Sequence, residues 1–422
     1  MKYAPRGWNS WDSYGAAVTE DIVRQNADYM ATHMKDAGYE YVVVDIQWYE
    51  PIASTNEYHP FADVCLDEYG RLIPAPNRFP SAANGAGFKP LADYVHSLGL
   101  KFGIHIMRGI SRHAVAKNLP IYGADGIGSR DIAKTASICA WNTDNYGVDP
   151  QKPGAKEYYD SIFALYASWG VDFIKCDDIC RELPHEEEEM IMLSESLHNC
   201  GREMVLSLSP GPAIIDKAEL YKKVSNMWRI TDDFWDDWKL LYAMFERAEK
   251  WSIHAGNGHY PDADMLPTGA IRQVYDPDNW TKFTQNEQIT MMLLWCVVRA
   301  PLMAGGELTK NDEFTLDLLT NQGLMEMNEK SRHAHQVFRK DIDGNEIILW
   351  TAMRADGSKY DGQYVVIFNA DGDDCSIDID MAELDLDGEF IAIDVYSGEV
   401  CTFTDTISCE IKSHCGRGFL LK

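Results

Sequence analysis

The sequence predicts a (β/α)8 TIM barrel followed by a C-terminal antiparallel β-sandwich, and three observations carry that expectation. Short, β-branched apolar runs alternate with amphipathic helical stretches. About eight such strands fall within roughly the first 330 residues, the repeat expected of a closed barrel with parallel strands. From about Gln336 the helical period vanishes, so the expected division is 1–335 for the barrel and 336–422 for the sandwich.

In chain order, "TEDIVRQNADYMATHMKDAG" places Ile22, Val23, Ala27, Met30, Met34 and Ala37 on one helical face. Thr19 is a suitable N-cap and Gly38 a suitable stop. The run "YEYVVVDIQW" that follows is of buried-strand type. The unit recurs: "FKPLADYVHSLG" leads to "LKFGIHIM", "AKEYYDSIFALYASWG" to "VDFIKCD", and "EEEEMIMLSESLHNCG" to "EMVLSLS". Further apolar pieces lie at "NMWRIT", near "GHYPDADM" and at "PLMAGG". In the tail, "NEIILWTAMR", "QYVVIFNA", "EFIAIDVYSGEV" and "RGFLLK" are strand-like runs separated by Gly, Asp and Asn turns, with no dense cluster of reactive groups.

Composition narrows the partners. The chain has 38 basic against 66 acidic side chains, a formal charge of -28 that repels nucleic acid and anionic membrane surfaces and favours a neutral small molecule. No run of apolar residues has the length of a membrane span. The start, "MKYAPRGWNSWD", lacks the apolar core of a secretory signal, so the expectation is a cytoplasmic protein or one whose leader has been removed. The ten cysteines are scattered singly, which suits buried thiols in a reducing compartment better than a disulfide framework.

The strand ends are unusually acidic. Asp45 closes "YVVVD", Asp177 closes "FIKCD", Asp233 follows "WRIT", and Asp262 and Asp264 lie in "PDADM". In a barrel of this type the carboxyl ends of the strands share one pocket, so these carboxylates converge and some must be paired or protonated. Trp8, Trp11, Trp48, Trp235 and Trp238 accompany them. Carboxylates beside flat apolar rings suit a sugar, which offers hydroxyls to the former and C–H faces to the latter. Residues two apart on a strand share a face, so Lys175 and Asp177 point into the barrel mouth while Cys176 packs outward. An ammonium beside Asp177 keeps that carboxylate ionised, as a nucleophile requires. Arg229 is placed to orient substrate or a carboxylate, leaving Asp233 as proton donor.

The motifs "GWNSWD", "VVVDIQW", "KFGIHI", "FIKCDD", "WRITDDFWDDW", "DADML" and "APLMAGG" occur in the order and spacing of glycoside hydrolase family 27, which the whole chain resembles. Members of that family are α-galactosidases and α-N-acetylgalactosaminidases. The resemblance implies a retaining mechanism without cofactor or metal on a carbohydrate substrate, with Asp177 as nucleophile and Asp233 as acid/base. It also implies sugar-binding roles for Trp8, Asp45, His105, Lys175, Ser209, Arg229 and Asp264.

The departures from the family pattern bear on the sugar. The usual pair of aspartates after the second strand is Asp45 followed by Ile46, and the usual tyrosine after the third strand is His105. Arg108 and Arg112 are candidates to rebuild that wall. In "LSLSPGPA", Ser209 stands where α-galactosidases carry a glutamate, which implies room for a 2-acetamido group and predicts hydrolysis of both sugars with GalNAc favoured. A β-L-arabinopyranosidase, an isomaltose-releasing enzyme and an inactive sugar-binding barrel are the alternatives. Retention of Lys175, Asp177, Arg229 and Asp233 together argues against the last. His96, His105 and His113 lack the spacing of a metal site, and Arg181 and His185 are candidates for the site rim. A homo-oligomer is compatible with the sequence.

Overall fold

The structure is a computed structural model that describes residues 3–55, 57–181, 186–357 and 359–422. Eight parallel strands come first: β1 (Arg6–Asn9), β2 (Tyr41–Val44), β3 (Lys101–Met107), β4 (Phe173–Asp177), β5 (Val205–Leu208), β6 (Met227–Arg229), β7 (Tyr260–Asp262) and β8 (Leu302–Ala304). Each pairs with its neighbour in the order β7-β6-β5-β4-β3-β2-β1-β8. The cylinder closes just beyond β7, where Leu266 bridges Ala304: its N–H donates to Met303 O at 2.8 Å and its carbonyl accepts from Gly305 N at 3.0 Å. The expected barrel is therefore present.

Helices cover the outside: α1 (Glu20–His33), α2 (Lys89–Ser97), α3 (Ala155–Trp169), α4 (Glu187–His198), α5 (Ala218–Val224), α6 (Trp238–Trp251), α7 (Gln285–Val297), α8 (Glu313–Thr320) and α9 (Gln322–Lys330). α1 does start after Thr19, though its hydroxyl caps nothing. The helix ends at His33, and a short 3-10 turn carries the chain to Gly38, whose left-handed φ of 88° makes the reversal.

Strand alternation sorts the side chains into two layers. Val42, Val44, Ile104, Ile174, Cys176, Leu206, Leu208 and Trp228 face the helices. Tyr41, Val43, Phe173, Val205, Met227, Tyr260 and Met303 face inward and fill the lower barrel with an apolar plug. Above that plug, toward the carboxyl ends, the inward positions become polar.

The second sheet is antiparallel, in the order β9-β10-β11-β16-β13-β14-β15-β12, with β9 Ser331–Ile342, β10 Asn345–Asp356, β11 Lys359–Asn369, β12 Cys375–Asp380, β13 Glu389–Asp394, β14 Val400–Thr404, β15 Thr406–Ile411 and β16 Gly416–Leu421. β14 and β15 meet through one residue pair, Thr404 with Thr406. The sheet folds over there, enclosing Ile347, Leu349, Val365, Ile367, Ile377, Ile379, Ile407 and Phe419 as a sandwich core. Its other face shares Trp350, Val366, Phe368 and Leu420 with the core of the barrel helices. α7 is the element between: Thr290 to Val297 are all buried. The ten cysteines are free thiols, and among the described residues no helix is long and apolar enough to cross a membrane.

β1 has little room to change, because it pairs with both β2 and β8. A Cβ on Gly7 would lie 2.2 Å from the carbonyl oxygen of Tyr41 on β2. Gly7→Ala is therefore expected to force the two strands apart at a cost of about 1–3 kcal/mol, read as a lowered midpoint in chemical denaturation.

Candidate active site

The polar inward positions open into a cavity of about 230 Å³ at the carboxyl ends of the strands. It is bordered by six carboxyl groups (Asp12, Asp45, Asp177, Asp232, Asp233, Asp264), three cations (Lys175, Arg181, Arg229) and the rings of Trp11, Tyr58, Trp141, Phe234 and Trp235. Asp45, Asp177, Asp233 and Asp264 thus converge as expected, whereas Asp262 does not border the cavity. Their charges are organised around two buried cations.

Lys175 Nζ donates to Asp45 Oδ2 at 2.8 Å, and Asn9 Nδ2 donates to the same oxygen at 2.8 Å. Asp45 Oδ1 accepts the backbone N–H of Ile46 at 2.8 Å. Burial works against a charged Asp45, but Lys175 and His105 outweigh it and hold the carboxyl below its ordinary range. On the other side Arg229 Nη1 lies 2.7 Å from Asp264 Oδ1, while Nη2 donates to Asp233 Oδ1 at 2.9 Å. Burial, with Asp233 and Asp262 nearby, pushes the Asp264 carboxyl up to about 7 against the pull of Arg229. Asp264 holds a left-handed φ of 80°, uncommon outside glycine, and the backbone N–H of Phe234 fixes its Oδ2 at 2.8 Å.

Asp177 ends β4 at the floor of the cavity. Its Oδ2 meets His105 Nε2 at 3.0 Å, and its Oδ1 accepts the Ser209 hydroxyl at 2.9 Å. Burial would raise its pKa, but the His105 contact, the Lys175 charge and the Ser209 hydroxyl together hold the carboxyl well below the usual carboxylate range. Asp233 differs: its side chain is 58% exposed, against 12% for Asp177. One carboxylate is therefore held ionised and sheltered, and the other stands at the mouth where solvent and a departing group can reach it.

Several expected site residues stand elsewhere. Trp8 is fully buried on the helix side of β1 and donates to Gly306 O at 2.8 Å; the wall residue is Trp11, three positions on. Strand parity explains the shift, since Gly7 and Asn9 take the inward positions. Trp48 packs on Phe88 and Trp169 in the core, and Trp238 stacks on His414 at the junction with the second sheet. His105 and Ser209 are buried behind Asp177 and do not border the cavity. Arg108 is occupied by Asp178, Glu186 and Glu189, and Arg112 lies over the rings of Phe61 and Tyr146. The three histidines weighed for a metal stand apart: His96 meets Asp172, His105 meets Asp177, and His113 meets Ala62 O. Arg181 lies on the rim, paired with Asp232; His185 falls outside the described residues.

Reading the strand ends missed Asp12, on the short helix Trp11–Tyr14, and Tyr58 and Trp141, which come from loops. Trp11 and Tyr58 stack with centroids 6.0 Å apart, and Trp141 continues that wall 5.7 Å from Tyr58. Aromatic residues in long loops carry no period, so only the general pairing of rings with carboxylates hinted at them.

A family described as "Alpha galactosidase A" matches residues 9–117 and 143–330. Among curated relatives, Alpha-galactosidase 2 of Arabidopsis thaliana is 27% identical over 324 residues, which are 76% of this chain and 66% of that protein, so the chain spans about two thirds of it. A solved GH27 β-L-arabinopyranosidase from Geobacillus stearothermophilus is 50% identical with a TM-score of 0.94, covering 100% of this chain and 97% of that one. A Bacillus halodurans protein provisionally named an α-N-acetylgalactosaminidase is 48% identical with a TM-score of 0.86, covering 99% and 97%.

The Asp177 surroundings generate a pH prediction. A carboxyl with a depressed pKa is ionised above that value, and losing a donor raises it. Ser209→Ala is expected to move the acid limb of kcat/KM toward higher pH by about half a unit to one unit, roughly the worth of one hydrogen bond to a charged group. A pH profile on a nitrophenyl glycoside measures it.

Proposed function

From the premise that this chain belongs to glycoside hydrolase family 27, the family of alpha galactosidase A, we propose that it is a retaining exo-glycosidase that prefers β-L-arabinopyranosides over α-D-galactosides. β-L-Arabinopyranose has the ring and hydroxyl arrangement of α-D-galactopyranose without the exocyclic hydroxymethyl group. The observation that carries the preference is the step from Asp45 to Ile46. Ile46 is 1% exposed and packs with Ala16, Met107 and Cys139, backed by Trp11 and Tyr58. Ile46 does not itself border the cavity, but Trp11 and Tyr58, which do, pack against its cluster, so that side offers Asp45 as its acceptor with apolar packing behind the rings. A hydroxymethyl group held there would give up water for an unmatched environment, whereas a sugar lacking it gives up nothing. The whole-length likeness to an arabinopyranosidase supports the same reading. The Ser209 hydroxyl is committed to Asp177 and so is not the group that would meet a 2-acetamido substituent.

In the proposed reaction Asp177 attacks the anomeric carbon and a covalent glycosyl-enzyme forms as the bond to the leaving oxygen breaks. Asp233 delivers its proton to that oxygen. A water then gives its proton to Asp233 and attacks the same carbon, releasing the sugar with its configuration retained. Sheltered Asp177 and exposed Asp233 suit these two roles. Lys175, Asp45, Arg229 and Asp264 hold the ring hydroxyls, and Trp11, Tyr58 and Trp141 take its apolar face.

Asp177→Ala is expected to lower turnover about a thousandfold or more with circular dichroism unchanged. Asp233→Ala is expected to slow substrates with poor leaving groups most; azide should rescue those with good ones and give a glycosyl azide of retained configuration. For specificity, kcat/KM on nitrophenyl β-L-arabinopyranoside should exceed that on α-D-galactopyranoside by about tenfold, and Ile46→Asp should shift the ratio toward galactose by about ten- to a hundredfold. A native preference for galactose would overturn the sugar assignment.

A further inference from the structure

Of the six carboxyl groups around the cavity, five have a charged or hydrogen-bonding side chain against them. Lys175 holds Asp45, Arg229 holds both Asp233 and Asp264, Arg181 holds Asp232, and His105 with Ser209 holds Asp177. Asp12 is the sixth. Its side chain borders the same cavity, the residue is 2% exposed, and Oδ2 is buried without a hydrogen-bond partner. Among the described residues no cation pairs with it.

Asp12 is also held firmly in place. Its carbonyl accepts the backbone N–H of Arg272 at 2.7 Å. Its carboxyl lies against Gly305 beyond β8, where a Cβ would come within 1.9 Å of Oδ2. The chain thus provides a niche that only glycine leaves open, and sets into it a polar group for which the protein supplies no partner. A buried polar group left so is costly unless something else completes it.

We infer that Asp12 is a substrate-binding residue which, as a neutral carboxyl, exchanges a hydrogen bond with a ring hydroxyl of the bound pyranoside. This rests on the glycosidase reading of the cavity and extends it. Burial, followed by the nearby Asp264 charge, raises the Asp12 pKa well above the ordinary carboxylate range against the opposing pull of Lys175, which favours the protonated form. The carboxyl would then offer the cavity a donor beside carboxylates that accept. It stands among Asp264, Lys175, Asp233 and Asp45, between the arginine-held and lysine-held sides of the pocket.

Two variants of the full chain test this, assayed on nitrophenyl β-L-arabinopyranoside and α-D-galactopyranoside. Asp12→Asn keeps a neutral hydrogen-bonding group of the same shape, and Asp12→Leu removes it. The expected result is that Asp12→Asn stays within about threefold of wild type in kcat/KM while Asp12→Leu falls about ten- to a hundredfold, the loss appearing in KM and in the inhibition constant of the free sugar product. The melting temperature of Asp12→Leu should be at or above that of wild type, because an unpaired buried polar group has been replaced by an apolar one, and this separates lost binding from lost folding. Wild-type kinetics in Asp12→Leu, or equal damage in both variants, would overturn the role of Asp12 and leave the glycosidase reading standing. A wild-type protein inactive on both glycosides would overturn both.

Discussion

The Lys175 ammonium is the interaction on which the upper barrel depends. It reaches from β4 to Asp45 at the end of β2, spanning the intervening β3, and its charge also bears on Asp177. Arg229 does the same for Asp233 and Asp264 on the other side. Lys175 helps hold the buried Asp45 and Asp177 carboxyls below their ordinary range against burial, which alone would raise both. The apolar plug below excludes water and strengthens every one of these contacts. Core packing and site chemistry are therefore consequences of one strand alternation: inward positions low in the barrel are apolar, and the inward positions two residues later are polar or charged.

The loops complete what the strands begin. Asp144 Oδ2 accepts from Gln47 Nε2 at 3.0 Å and Tyr49 Oη at 2.8 Å, tying the segment after β2 to the one that carries Trp141. Arg78 donates to Gln47 O at 2.7 Å, Glu50 O at 2.9 Å and Val18 O at 2.8 Å, so buried carbonyls in two loops share one guanidinium. A long connection stays in one shape when its own polar groups are satisfied internally. The wall of Trp11, Tyr58 and Trp141 is held by such bonds and by ring stacking.

How much of this was legible in the sequence follows the same division. The barrel was readable because buried parallel strands are apolar, β-branched and regularly interrupted by amphipathic helices. Lys175 and Asp177 were readable because alternation fixes their common face. Applied to β1, the same alternation would have turned Trp8 outward, and the motif "GWNSWD" drew attention to the wrong tryptophan. Ser209 was expected at the sugar and lies beneath Asp177, because sequence shows that a serine ends a strand but not which neighbour its hydroxyl meets. The three-stranded sheet of Ile110–Ser111, Ala133–Ile138 and Asn145–Val148 went unread, its strands being short and half polar. Asp12, on the short helix Trp11–Tyr14, and Tyr58, in a loop, were equally hidden, since they converge through long-range packing that leaves no local period.

The position of α7 bears on how the polypeptide is made. Its last turns have no solvent-facing side, and part of their cover comes from strands of the second sheet, with Phe245, Leu293, Phe368 and Leu420 in one continuous core. On a ribosome the helix, which ends at Val297, emerges before that cover, which begins at Asn345 and is complete only at Leu421. During this interval the barrel carries an uncovered greasy surface on α7, the kind that recruits holding chaperones or joins neighbouring nascent chains. The C-terminal sheet thus acts as a late-arriving lid on the barrel's assembly, and a transcript cut short before residue 331 would leave a product that sticks rather than a smaller enzyme.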